Sequence, residues 1–255
     1  MPALLKLTFE VREPARLLGH GGEALYGLVL RILASGNRLY AHRIHQSKEP
    51  PPFSLSNIRG QKHRDYEYIV LEAGRPYSFV IGFIEDQVGA LFLRSLQRSE
   101  NWPLGGVPLA FQEIQVIRQA DYLILAQQEP GNRRILRFHF LTPTSFRHEN
   151  WNMPVPLPQW VFGSLWHRWH RYAPLSLGEP PDFSLLRIRR YQLETRAVHF
   201  YRYLVVGAVG EIEYEIPEVL QDYREPILAL TAFAPYAGVG YQTARGLGRV
   251  KTRMF

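Results

Sequence analysis

A glycine-rich segment near the C-terminus has the residue types and spacing of an anion-binding loop. Residues 238–248 run Gly-Val-Gly-Tyr-Gln-Thr-Ala-Arg-Gly-Leu-Gly, so two Gly-x-Gly pairs flank five residues. Glycine lets the backbone reach positive φ and lets another chain approach closely. The spacing predicts a shaped loop with main-chain N–H groups free to bind an anion such as a phosphate, and Arg245 could add a bidentate contact. A tight turn without a ligand is the alternative that this motif alone leaves open.

Two standard nucleotide-binding motifs do not fit this segment. No Gly-Lys-Ser/Thr is present, which excludes a P-loop. The third glycine of a dinucleotide fingerprint would fall on Thr243, and Gly238 does not open a strand-to-helix turn. An enzyme that binds ATP or NAD through the loop is therefore a weaker hypothesis than a protein that binds nucleic acid.

Two histidine pairs, His42-x-x-His45 and His167-x-x-His170, have a spacing that could place two metal ligands on one helix face. No acidic cluster lies near His42 and His45, and the chain has no cysteine to complete a site. A two-metal nuclease would need several converging carboxylates, which the sequence does not offer. The second pair lies among aromatic and basic residues, which predicts a helix face for packing and RNA contact. We expect no metal and no other cofactor.

The composition favours a basic protein of the reducing cytosol. The 255 residues are 46% hydrophobic, include no cysteine, and contain no run approaching the ~18 apolar residues of a membrane span. The net charge is +7, and 26 of the 30 basic residues are arginine. Residues 1–127 carry +2 and residues 128–255 carry +5. Arginine suits phosphate and base recognition, so nucleic acid is the expected partner, although a source-related arginine bias would give the same composition.

The first half of the chain alternates strand and helix patterns. Prolines 50–52 favour an extended segment across residues 39–54, and Gly36 is a plausible helix C-cap. The hydrophobic periodicity predicts these elements: strand Ala3–Val11, helix Glu23–Ala34, strand Phe53–Ile58, a hairpin of Tyr66–Glu72 and Tyr77–Phe83, helix Ile84–Arg98 and strand Val107–Arg118.

The second half repeats this order after a linker at Ala126–Asn132. Its predicted elements are strand Ile135–Thr142, helix Gln159–Tyr172, strands Ser184–Arg196 and Val198–Glu215, helix Val219–Phe233 and strand Arg249–Arg253. We therefore predict an α+β fold of two tandem ferredoxin-like (βαββαβ) domains, residues 1–126 and 127–255, the second carrying the glycine-rich loop.

The glycine-rich loop resembles that of the RAMP superfamily, and more narrowly that of the CRISPR-associated endoribonucleases that process precursor crRNA. Three further stretches agree with that family in the same order: Ile44-His45 followed by Pro-Phe-Ser-Leu-Ser at 52–56, Phe-Leu-Thr-Pro-Thr-Ser-Phe-Arg at 140–147, and Leu228–Phe233. The family fold is also two ferredoxin-like domains. The resemblance implies metal-independent cleavage of the CRISPR repeat, in which a ribose 2′-OH attacks the phosphate and leaves 2′,3′-cyclic phosphate and 5′-OH ends.

The resemblance also implies where the chemistry takes place. His45 lies where many family members have their catalytic histidine, and histidine suits proton transfer near neutral pH. Lys48 is the candidate for stabilising developing charge. Some members have a first-helix tyrosine where our alignment gives Leu30; Tyr26 or Tyr40 could substitute. His42 and His20 are further candidates.

The expected RNA contacts lie around the loop and on one strand: Gly238, Gly240, Arg245, Gly246, Gly248, Arg249, Lys251, Arg253, Arg187, Arg189 and Arg190. The expected partners are CRISPR repeat RNA, crRNA and subunits of an interference complex, and a homodimer is compatible with the family. The alternative is a non-catalytic RNA-binding RAMP subunit of an effector complex. If the roles are separable, Gly240→Val or Arg245→Ala should weaken binding, whereas His45→Ala should mainly lower the rate.

Overall fold

The computed structural model describes residues 1–65, 67–129 and 131–255. Its first half contains eight strands and three helices: β1 (Ala3–Val11), β2 (Ala15–Leu18), α1 (Gly22–Gly36), α2 (Arg38–Gln46), β3 (Phe53–Leu55), β4 (His63–Asp65), β5 (Tyr68–Leu71), β6 (Tyr77–Phe83), α3 (Asp86–Leu96), β7 (Trp102–Leu104) and β8 (Val107–Gln119).

The main sheet of this half is antiparallel, with the strand order β3-β6-β1-β8-β7. Helix α1 lies between β1 and β3 in the chain, and α3 lies between β6 and β8. The first four strands of the sheet therefore have the order of a ferredoxin-like βαββαβ unit, which confirms the predicted fold for this half. Alternate residues of β1, such as Leu7 and Phe9, are fully buried in its core.

The second half contains the remaining helices and strands: α4 (Tyr122–Ala126), β9 (Ile135–Thr144), β10 (Phe146–His148), β11 (Trp151–Met153), α5 (Pro158–Tyr172), β12 (Arg187–His199), β13 (Leu204–Glu215), α6 (Arg224–Ala237) and β14 (Val250–Met254). Three short 3-10 turns are at Phe183–Leu185, Glu218–Tyr223 and Thr243–Arg245. The sheet order is β12-β13-β9-β14, again antiparallel and again ferredoxin-like. The predicted tandem fold is confirmed.

The segment before the prolines differs from the prediction. The segment was expected to be extended, but most of its first part forms the helix α2, which ends at Gln46 before Pro50. The Asn37 side chain accepts a hydrogen bond from the Tyr40 N–H (3.0 Å) and caps this helix, while the same residue ends α1. Gly36 is therefore inside α1 and is not its C-cap. A Cβ on Gly36 would lie 2.0 Å from the Ser95 hydroxyl, so glycine permits close packing of α1 on α3.

The predicted hairpin around residues 73–75 is wrong. Strand β5 pairs with β2 and β4, whereas β6 pairs with β1 and β3, so the two strands belong to different sheets. Tyr66, at the predicted start of this hairpin, lies outside the described residues.

The two halves contact each other directly. The Ser54 hydroxyl of β3 donates to the Tyr236 carbonyl of α6 at 2.7 Å, and Gly82 of β6 has no room for a Cβ, which would lie 2.2 Å from the same carbonyl oxygen. Tyr122 of α4 packs edge-on against Trp169 of the second core. The division at residue 126 stays a prediction, and by its contacts α4 belongs with the second core.

Candidate active site

A cleft of about 240 Å³ lies between the end of α2 and the glycine-rich loop. The first half contributes Tyr26, His45 and Lys48 to its walls, and the second half contributes residues 240–245, including Arg245. The sequence placed His45 and the loop in different domains and expected chemistry away from the loop. The structure brings them to the same cleft.

Helices α1 and α2 present the residues of the first wall. Tyr26 is on α1 and is buried, while His45 is in the last turn of α2 and is exposed. Lys48 follows directly after the helix and is also exposed. Both side chains are therefore accessible to a ligand in the cleft.

Tyr26 lies between His45 and Arg245. Its ring centre is 6.2 Å from that of His45, and the guanidinium carbon of Arg245 is 5.0 Å above the Tyr26 ring. Burial raises the pKa of the Tyr26 phenol, and the charge of Arg245 opposes this only in part. The phenol is therefore protonated at neutral pH and can donate a hydrogen bond.

Arg245 presents a positive charge to the cleft. Within the part of the chain that is described, no carboxylate forms an ion pair with it, and its Nη1 lies 3.4 Å from the Tyr203 hydroxyl. A Cβ on Gly22 would lie 1.9 Å from the Arg245 carbonyl oxygen, so the loop rests directly on the start of α1. This close approach positions the Arg245 backbone relative to α1, the helix that carries Tyr26.

Many of the main-chain N–H groups of the loop are used within the protein, and these are not free to bind an anion. Several of them donate, at 2.7 to 3.2 Å, to neighbouring segments: Gly238 to Ala234 O, Val239 to Gly248 O, Gly240 to Ser164 Oγ, Tyr241 to Ser145 O and Gly248 to Pro143 O. All four loop glycines have positive φ. Gly240 lines the cleft, while Gly238, Gly246 and Gly248 are buried behind it. The glycines shape the loop, and the Arg245 side chain is its candidate for binding an anion in the cleft.

The other candidates from the first half lie outside this cleft. His42 lines a neighbouring groove with Leu30, and His45 borders both spaces. Tyr40 donates to Glu85 at 3.1 Å, and the pKa of Tyr40 is raised well above its usual value by burial and by Glu85. His20 is buried behind the loop, where its Nδ1 accepts the Gly22 N–H at 3.1 Å.

The basic residues after the loop divide into two kinds. Arg249 is buried and donates to the Pro235 carbonyl, so the expected position on the surface is not observed. Burial lowers the pKa of Arg249 to about 10, an effect to which the charge of Arg59 adds. Lys251 and Arg253 are exposed on β14. They remain available for RNA, outside the cleft.

The three arginines of β12 differ in their ion pairing. Arg187 and Arg189 are exposed, and no ion pair engages them among the described residues. Arg190 is exposed but paired, because its Nε and Nη2 lie 2.9 and 3.1 Å from the carboxylate of Glu213. Arg190 is therefore the weakest RNA candidate of the three.

Each histidine of α5 contacts another side chain of the protein. His167 Nε2 is 2.6 Å from Glu49 Oε2, and His170 stacks on Trp166 with ring centres 4.3 Å apart. In the residues described, no group of three or more histidines, cysteines and acids could hold a metal ion. No helix within these residues is long and apolar enough to cross a membrane.

Comparison with known proteins identifies the family to which the chain is similar. The family model of the CRISPR-associated endoribonuclease Cas6 matches residues 138–250. The resemblance to Cas6 is confirmed. The Cas6 endoribonuclease of Streptococcus thermophilus is 22% identical over 219 residues, covering 83% of this chain and 84% of the relative. Among solved structures, a Cas6 product complex has a TM-score of 0.83 at 22% identity and covers 99% and 100% of the two chains. Thermus thermophilus Cas6 gives 0.72 at 21%, covering 99% and 98%.

These similarities to Cas6 extend to the architecture of the whole chain. An RAMP protein described as binding different RNA substrates also matches, with a TM-score of 0.67 at 14% identity over 98% of this chain and 99% of its own. At such identities the solved structures establish the shared fold alone. The chemistry must be argued from the residues of the cleft.

Sequence reasoning placed Arg168 on a helix face for packing and RNA contact, but its side chain is buried behind the cleft. It lies on α5 and donates to the Thr243 hydroxyl of the loop at 2.9 Å. A signal was available: Val161, Leu165 and Arg168 fall on one helical face, and an arginine that continues an apolar stripe indicates a buried charge.

Proposed function

We propose that this protein is an endoribonuclease that cleaves CRISPR repeat RNA to release crRNA. The observation that carries the proposal is the cleft in which His45, Lys48, Tyr26 and Arg245 converge. The similarity to Cas6 endoribonucleases and to their substrate-mimic and product complexes supports RNA as the ligand.

The proposed chemistry uses the ribose 2′-OH as the nucleophile and needs no metal ion. The 2′-oxygen attacks the adjacent phosphorus in line, and the bond to the 5′-oxygen breaks. The step needs two proton transfers, one from the 2′-OH and one to the leaving 5′-oxygen; His45 carries one of them and solvent water carries the other. The products are a 2′,3′-cyclic phosphate, or the 3′-phosphate formed from it, and a 5′-OH.

Two cations are available for the charge that develops on the phosphorane. Arg245 offers a planar fork of donors on one wall, and Lys48 offers an ammonium group on the other. Tyr26 stays protonated and donates a hydrogen bond to the same phosphate. In this proposal the loop takes part in catalysis through Arg245, and not only in holding RNA.

Exposed basic residues outside the cleft are proposed to hold the rest of the repeat. Lys251 and Arg253 on β14 and Arg187 and Arg189 on β12 are the candidates. Contacts of this kind supply salt-dependent affinity without sequence choice. The interference-complex partner and the homodimer are proposed on the family resemblance. The cytoplasmic location is proposed on the cysteine-free composition, and the domain division after residue 126 on the break in periodicity there.

The test is cleavage of an RNA carrying the CRISPR repeat encoded beside the gene, in EDTA. We expect cleavage by the unmodified protein, loss of cleavage with retained binding in His45→Ala, and no cleavage when the nucleotide before the cut is 2′-deoxy. Binding without cleavage by the unmodified protein would favour the alternative, a non-catalytic RAMP subunit. Cleavage of the 2′-deoxy RNA would contradict the mechanism.

A further inference from the structure

Helix α5 holds the segment that follows the histidine-bearing helix α2. His167 pairs with Glu49 at 2.6 Å, and the Tyr172 hydroxyl donates to the Pro50 carbonyl at 2.5 Å. Both contacts join the second half of the chain to the first. They hold the segment directly after Lys48, so α5 forms a support for that wall of the cleft.

Arg168, which lies between His167 and Tyr172 on α5, also contacts this segment, and it reaches the glycine-rich loop as well. Its Nη2 lies 3.0 Å from the Pro51 carbonyl oxygen and 3.4 Å from that of Phe53. Its Nη1 donates to the Thr243 hydroxyl at 2.9 Å. Pro51 and Thr243 both line the cleft, Pro51 from the first half of the chain and Thr243 from the second. A single guanidinium therefore joins both walls.

Burial of the Arg168 guanidinium carries a desolvation cost. Arg168 is 1% exposed, and burial lowers the pKa of its guanidinium to about 10, so it stays charged at neutral pH. Its hydrogen-bond acceptors are a hydroxyl and two carbonyls, and no carboxylate pairs with it in the described part of the chain. Even a buried ion pair is often no more stabilising than well-packed apolar side chains, and Arg168 has no carboxylate partner among the described residues, so stability alone does not account for an arginine here.

We propose that Arg168 is a positioning residue that sets the separation of the two cleft walls. It holds the Thr243 turn, and with it Arg245, at a fixed distance from the segment that carries Lys48. This inference rests on the proposed endoribonuclease function. Because Arg168 does not line the cleft, it acts on the reaction through these neighbours and does not touch RNA.

The experiment compares Arg168→Lys, Thr243→Val and the double variant. Lysine keeps the charge but cannot hold both walls, and valine keeps the threonine methyl while removing the hydroxyl. We expect single-turnover cleavage at saturating repeat RNA to fall about 100-fold in Arg168→Lys, because small displacements of reacting groups are costly. Loss of one charge-assisted hydrogen bond in Thr243→Val should cost about ten-fold. Affinity for the 2′-deoxy repeat RNA should change less than about three-fold, since the groups that bind phosphate are retained.

The double variant distinguishes positioning from general destabilisation. If the Arg168–Thr243 hydrogen bond transmits the effect, the double variant is no slower than Arg168→Lys alone, whereas independent effects multiply. Thr231→Val is the matched control, because that hydroxyl donates within α6, to the Ile227 carbonyl at 2.8 Å; its cleavage rate should match that of the unmodified protein.

Three outcomes would overturn the inference while leaving the proposed function intact. They are an Arg168→Lys rate close to that of the unmodified protein, multiplicative losses in the double variant, and a Thr243→Val rate no lower than that of Thr231→Val. The last comparison decides the question even if Arg168→Lys does not fold. Failure of the unmodified protein to cleave would instead contradict the proposed function.

Discussion

The guanidinium carbon of Arg245 lies 5.0 Å above the ring of Tyr26, so the glycine-rich loop meets the first helix at the cleft that contains His45. This relationship joins two features that sequence reasoning had separated. It changes the expected role of the loop from RNA holding alone to participation in the reaction.

Arg245→Ala should lower the cleavage rate as well as the affinity. Removing the cation next to the phosphorane is expected to slow single-turnover cleavage by about 100-fold, a loss of transition-state stabilisation. Arg245→Lys should recover part of the rate, because a point charge replaces the planar fork. Rates at saturating repeat RNA and affinities for its 2′-deoxy form separate the two effects. If only affinity falls, the original expectation of separable roles is correct.

Tyr26→Phe should slow cleavage without changing the shape of the pH–rate profile. Burial raises the pKa of this phenol above its ordinary value, so it is protonated throughout the range from about pH 6 to 9 and contributes no titration there. Phenylalanine keeps the ring that packs against Phe53 and lies under Arg245. The expected loss is about ten-fold, that of one hydrogen bond. Disappearance of an alkaline limb below pH 9 in the variant would mean that Tyr26 titrates during the reaction.

Gly248→Ala should destabilise the fold. Gly248 has a φ of 69°, and an added Cβ would lie 2.0 Å from the Val239 carbonyl oxygen. We expect a loss of about 2–4 kcal/mol in the free energy of unfolding, measured with a denaturant. Gly163→Ala is the control, because that helical glycine has open space around it; alanine there should stabilise by up to about 1 kcal/mol. Equal effects of the two changes would argue against a shaped loop.

Lys251→Ala and Arg253→Ala should each reduce the salt dependence of RNA binding. Both side chains are exposed on β14, away from the cleft. The slope of log affinity against log salt should fall by about one for each phosphate that the variant no longer neutralises, and cleavage at saturation should not change. Arg94→Ala, an exposed arginine in the last turn of α3, is the control and should leave the slope unchanged. Unchanged slopes for both β14 variants would show that this strand does not contact RNA phosphates.

The strand and helix order could be predicted because long elements have a clear period. β1 alternates buried and half-buried residues along most of its length, and α5 and α6 present apolar faces to one core. Helix α2 was missed because only Ala41 and Ile44 of its nine residues are buried, which is too weak a pattern beside three prolines.

The cleft itself was only partly predictable. Family resemblance pointed to His45 and Lys48, but nothing local indicated that Tyr26 and Arg245 would meet. The use of the loop N–H groups depends on acceptors such as the Ser145 and Pro143 carbonyls, which are remote in sequence. Burial of Arg249 has the same origin, since its acceptor is the Pro235 carbonyl in α6.

The close approach of Gly22 to the Arg245 carbonyl has a consequence for the order in which the protein is made. His45 leaves the ribosome well before Arg245 does. A nascent chain that has not yet reached the loop carries the histidine without its cation or its second wall. Under the proposed mechanism, such a chain cannot cut RNA during its own synthesis.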